Sequence, residues 1–142
     1  MNFDKIKIWF YNYKWMEFVL ASAFTVIITV IAYNYSLDWL GPFAAIGLII
    51  IGYISKDKII GSIMGGIGAI PIALAIHFNI LGPITLNMNY FEFILLVYVF
   101  VFVMGFVVGF IGSLVYINRK KRIEKQVKLN KKNRKTSKNI KK

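Results

Sequence analysis

Four apolar stretches, near residues 16–35, 40–54, 59–81 and 91–117, have no Lys, Arg, Asp or Glu in their interiors, and they narrow the possible folds more than any other feature of the chain. A hydrocarbon layer of ~30 Å takes roughly 20 helical residues to cross. The first, third and fourth stretches reach that length, while the second, with 15 residues, is short. Continuous apolar runs lack the polar–apolar alternation of a barrel strand, and an open sheet in lipid would leave backbone groups unpaired, so the stretches read as helices. Of the first 117 residues 78 are apolar, well above the ~45–50% of soluble domains, and so short a chain cannot hide that much apolar surface in one core. The expected fold class is an all-α integral membrane protein. Its four transmembrane helices occupy a domain at 1–117, and a basic tail follows at 118–142.

Charge then predicts orientation. The net charge of +12 sits in the tail, since residues 118–142 hold 13 of the 18 Lys and Arg and one acid, Glu124, while residues 1–117 balance five bases with five acids. Basic residues close to span ends stay on the cytoplasmic side. With four spans, both termini and the 55–58 loop share one face, which collects Lys5, Lys7, Lys14, Lys56, Lys58 and the tail; the opposite loops at 34–39 and 82–90 contain no Lys or Arg. A re-entrant second stretch would put Lys56, Lys58 and the tail outside, and the charge pattern rejects it. The expectation is a multi-pass protein of the cell (cytoplasmic) membrane, N-in and C-in.

Aromatic residues fit that map. Trp9, Tyr11, Tyr13, Trp15, Tyr53 and Tyr116 fall at the inner boundary, and Tyr33, Tyr35, Trp39 and Tyr90 at the outer one, where amphipathic rings anchor. Interfacial anchoring accounts for Trp9 and Trp15 without a ligand cage. The run at 18–32 is long and lacks a small-x-small cleavage site, so it reads as an uncleaved first span. Asp57 is placed to cap the third helix, Asp38 the second, and Asn89 with Glu92 to form a capping box at the fourth. Leu40-Gly41-Pro42 and Leu81-Gly82-Pro83 recur at outer boundaries, but the halves do not otherwise match, so the tripeptide is read as turn chemistry.

Association of helices in lipid relies on close backbone approach at small residues. Gly61, Gly65 and Ala69 form one ridge on the third span, with Ser62, Gly66 and Gly68 beside it, and Gly105, Gly109 and Ser113, adjoined by Gly112, repeat the device on the fourth. These stripes are expected to face helices, in the same chain or a neighbouring one. Gly65-Gly66-Ile67-Gly68 lacks the Lys-Ser/Thr of a phosphate loop and lies inside an apolar span. Pro71 removes the hydrogen bond to the Ile67 carbonyl and predicts a kink.

Catalytic chemistry is thinly represented. There is no cysteine and one histidine, which leaves no thiolate nucleophile and no multi-histidine metal or haem site. His77 is titratable within a span, but a proton relay would need a partner and no carboxylate lies in any span interior, so a structural, interfacial role is preferred. Glu17 is within pairing distance of Lys14 on a helix. No catalytic residue, metal or cofactor is expected.

The tail opens with Arg119-Lys120-Lys121-Arg122, followed by Lys125 and Lys128, and the spacing of Ile123 and Val127 predicts two or three further helical turns. Beyond Asn130 the Lys, Asn, Ser and Thr composition predicts disorder. Near an anionic inner leaflet such a tail gains ~1 kcal/mol per basic residue, and nucleic acid or the ribosome is the competing partner of a polycation.

Gly52-Tyr53-Ile54, a polar hairpin, and Gly61-x-x-x-Gly65-Gly66-Ile67-Gly68-Ala69 resemble the glycine-rich helical hairpin of small archaeal multi-span membrane proteins classed as a domain of unknown function. The resemblance covers about residues 41–75 and departs at the charged Ser55-Lys56-Asp57-Lys58 hairpin and the basic tail. It implies a prokaryotic integral membrane protein and no particular activity.

Two functions compete. The first is a non-enzymatic subunit, scaffold or assembly factor that recruits a partner through the tail, alone, as a homo-oligomer or in a larger membrane complex. The second is an oligomeric pore or holin-like channel, for which Ser22, Thr25, Thr29 and Ser62 are the available polar lining. An intramembrane enzyme lacks any nucleophile–base or metal constellation.

Overall fold

A computed structural model describes residues 13–81 and 89–140, with side chains as far as Asn130. Lys5, Lys7, Trp9, Tyr11, the loop at 82–88 and the last two lysines lie outside the described residues. Those described form an all-helical structure: α1 (Trp15–Asn34), a 3-10 turn (Asp38–Leu40), α2 (Gly41–Ser55), α3 (Lys58–His77) and α4 (Tyr90–Ile140). Four helical segments are long and apolar enough to cross a membrane, the second only when the 3-10 turn is joined to α2 as Asp38–Ser55. The architecture is that of a multi-pass membrane protein.

The helix ends have local causes. After α1 and α3 the chain closes the same way: Ser36 (φ 51°) and Asn79 (φ 54°) are left-handed, with Leu37 N–H donating to the Ala32 carbonyl (2.8 Å) and Ile80 N–H to that of Ala75 (2.9 Å). Inner bonds from Ser36 to Tyr33 and from Asn79 to Ile76 complete two Schellman motifs. The third helix therefore stops at His77 rather than running to 81. Asp57 starts that helix as expected of a cap, its carboxylate accepting from Ile59 N–H (2.9 Å) and Ile60 N–H (3.2 Å). Asp38 does not cap α2. It opens the 3-10 turn, and α2 begins after Leu40 with no side-chain cap and with Pro42 in its first turn, where a missing N–H costs nothing. At α4, Asn89 contributes its carbonyl to Phe93 N–H (3.0 Å), and Glu92 stands in the first turn.

The tail also differs from expectation. The α4 backbone is helical through Ile140, past Asn130 where composition predicts disorder. No Gly or Pro follows Gly112, and the Lys and Arg that make up half of residues 131–140 are good helix formers, so the helix begun in the span meets no strong breaker there.

Packing is inverted relative to a soluble bundle. The largest of the fully buried side chains are Ile51 and four small hydroxyl residues, Thr25, Ser55, Ser62 and Ser113, with Ala69 and Ala73 buried beside them, while Met16, Leu20, Phe91, Leu95 and Val99 are exposed. A shell of large apolar groups around a core of small ones is stable when the surrounding solvent is itself apolar. Each core hydroxyl has a carbonyl to donate to: Thr25 to Ala21, Ser55 to Ile51, Ser62 to Lys58 and Ser113 to Phe110. Ser22 instead crosses between helices to the Gly68 carbonyl at 2.9 Å, a bond of the kind that contributes ~0.6 kcal/mol in lipid. α3 is the central helix, half of its apolar window being buried against 17% for α1 and α4. It stays helical through Pro71.

Candidate functional site

The two glycine ridges meet each other. A Cβ built on Gly105 would stand 2.6 Å from the Ala69 Cβ, one on Gly65 2.7 Å from the Gly109 Cα, and one on Gly61 2.9 Å from the Ser113 Cβ. α3 and α4 thus run antiparallel in backbone contact. Gly66 faces the Phe102 ring, and Gly68 the side chain of Ile51. Two further crossings lie off the ridges: Gly47 sits on Ala21 and Thr25 of α1, and Gly52 on the Gly109 carbonyl. Gly47 and Gly52 are five apart and so do not form an i, i+4 ridge of their own on α2.

This packing sets which ends coincide. Gly112 lies on Ile49 and Tyr116 on Tyr53, so α2 and α4 are parallel and finish at the same end. There the Tyr53 and Tyr116 rings meet edge to face at 5.3 Å, and an Arg119 guanidinium N–H donates to the Tyr53 hydroxyl at 2.8 Å. Around them opens a cavity of about 450 Å³ lined by Tyr53, Tyr116, Arg119, Lys120, Ile123 and Glu124. A second of about 300 Å³, lined by Val115, Asn118, Arg119 and Arg122, flanks it. Arg119 belongs to both. Glu124 makes no ion pair with these cations; among the described residues the ion pair is that of Lys14 with Glu17.

Tyr13 reaches the same end from just before α1, its ring edge to face with those of Trp15 and Phe18. Burial pushes its hydroxyl above its usual pKa of 10.0, the Glu17 carboxylate pushes the same way, and a hydrogen bond with Ser55 opposes them. Lys56, exposed in the α2–α3 turn, and Lys58, exposed at the start of α3, complete a basic end. Of the basic extension, Lys121, Lys125 and Lys128 are exposed and line neither cavity.

His77 is at the opposite end. Its ring is surrounded by Phe78 (5.2 Å), Tyr90 (6.3 Å) and Tyr98 (6.3 Å), and its buried Nδ1 has no hydrogen-bond partner among the described residues. No group of three or more His, Cys, Asp or Glu able to hold a metal occurs among those residues. The polar span residues Ser22, Thr25 and Ser62 are buried within the bundle, and Thr29 donates to the Thr25 carbonyl. What the basic end offers chemically is a set of hydrogen-bond donors and positive charge beside apolar surface. Comparison with family models, with curated proteins and with solved structures finds no match to the chain.

Proposed function

We propose that this is a non-enzymatic membrane subunit, scaffold or assembly factor whose basic extension of α4 engages an anionic partner at the cytoplasmic face. The observation that carries the reading is the continuity of α4 from the apolar span into the cationic segment. A helix rooted in the bundle holds its charges at a defined distance and direction from the membrane, which a flexible chain does not. The N-in/C-in orientation belongs to this reading and rests on the gathering of Lys14, Lys56, Lys58 and Arg119 at one end. So does the place among small glycine-rich prokaryotic membrane proteins that residues 41–75 suggest.

The pore or holin-like alternative has less support. The glycine ridges it would use between copies are occupied within the chain, and the hydroxyls it would line a path with donate to carbonyls inside the bundle. Deleting residues 123–142 tests the leading reading. The shortened protein is expected to stay folded in the membrane and to lose the partner that co-purifies with the full chain after crosslinking. An unchanged partner set overturns the reading, and ion flux through reconstituted vesicles would favour the pore instead.

A further inference from the structure

We infer that the paired cavities around Arg119 form a binding site for one anionic phospholipid, its headgroup phosphate held by Arg119 and Arg122 and its acyl chains lying along α4. The inference rests on the membrane reading of the chain but not on what the tail recruits.

Charge comes first. Arg119, Lys120 and Arg122 bring three cations to the two cavities against one acid, Glu124. No ion pair among the described residues neutralises any of them. Arg119 is held in place by its bond to the Tyr53 hydroxyl, which uses part of its guanidinium fork and leaves other N–H donors free. A planar fork already oriented loses less freedom on meeting a phosphate than a mobile lysine does. Tyr53 is in turn fixed by the Tyr116 ring.

The polarity of the surface then selects the ligand. The second cavity has Val115 at one end and Arg119 with Arg122 at the other. Val115 is half exposed, and the exposed apolar surface continues along α4 through Ile111 and Val107. A site cationic toward water and apolar toward the span matches a molecule with a charged head and hydrocarbon chains. Inorganic phosphate or a nucleic acid would use only the cationic half. Lys125 and Lys128 lie outside both cavities and serve as an internal control for loosely held charge.

The test uses the full chain in lipid nanodiscs of mixed phosphatidylcholine and phosphatidylglycerol, released into native mass spectrometry. Retention of one phosphatidylglycerol per chain is expected. Arg119→Gln and Arg122→Gln should each weaken retention about tenfold, the effect of losing one charge-assisted hydrogen bond, and Lys125→Gln with Lys128→Gln should leave it unchanged. Excess inorganic phosphate should not displace the lipid. Arg119→Gln also breaks the bond to Tyr53, so Arg122→Gln, which disturbs no bond within the bundle, keeps the test decisive if the first variant misfolds. Equal losses from the Lys125/Lys128 pair would mean diffuse attraction and overturn the site. Displacement by phosphate would overturn the assignment to lipid. Since partner recruitment is read separately by co-purification, either reading can fail while the other stands.

Discussion

A single methyl group is enough to disturb the centre of this bundle. At Gly65 a Cβ would meet the backbone of Gly105 and Gly109, and at Gly109 it would meet the backbone of Gly61 and Gly65. Backbone cannot rotate out of the way as a side chain can, so the two helices must separate. Gly109→Ala should therefore cost about 1–3 kcal/mol, as overpacking does. It is checked by the thermal midpoint of the purified protein in detergent, set beside Gly41→Ala, where nothing lies within 4 Å. Equal midpoints for both variants would contradict the packing described. At this scale the ridge residues are legible in the sequence, because small residues repeat at helical spacing. Gly47 and Gly52 are not, since what makes them indispensable is the neighbour each meets.

Single elements owe their limits to a few local bonds. The Asp57 carboxylate satisfies two N–H groups at the start of α3, so Asp57→Ala should destabilise the protein by about 1 kcal/mol while Asp57→Asn retains most of the stability. The pair of midpoints in thermal unfolding checks it: a loss of the same size in both variants would assign the effect to charge instead of capping. Asp57 is readable beforehand because it directly precedes an apolar run. Asp38 shares that context and does not cap, since the chain leaves the Schellman turn at Ser36 through a 3-10 turn and leaves the work of starting α2 to Pro42. The continuation of α4 to Ile140 follows a similar logic. Composition describes how a segment behaves alone, whereas this segment inherits a nucleated helix and escapes the nucleation cost that isolated helices carry.

The whole molecule is polarised. α1, α2, α3 and α4 alternate in direction, bringing Lys14, Lys56, Lys58 and Arg119 to one end and Trp39, His77 and Tyr90 to the other. Absence of native cysteine makes the proposed orientation directly measurable. In intact cells Ser36→Cys should react with an impermeant thiol reagent, and Lys128→Cys should react only after permeabilisation. The reverse pattern would invert the topology and place the basic arm outside.

The number of long apolar helices and the segregation of charge were determined by the sequence alone, because hydropathy and charge accumulate locally along the chain and need no knowledge of what touches what. The tertiary structure decided which glycine lies on which, and that Tyr53 and Arg119, 66 positions apart, share a hydrogen bond. Such pairings depend on where helices cross. Crossing points in lipid are chosen by close fit between backbones, which a pattern read along one helix does not contain.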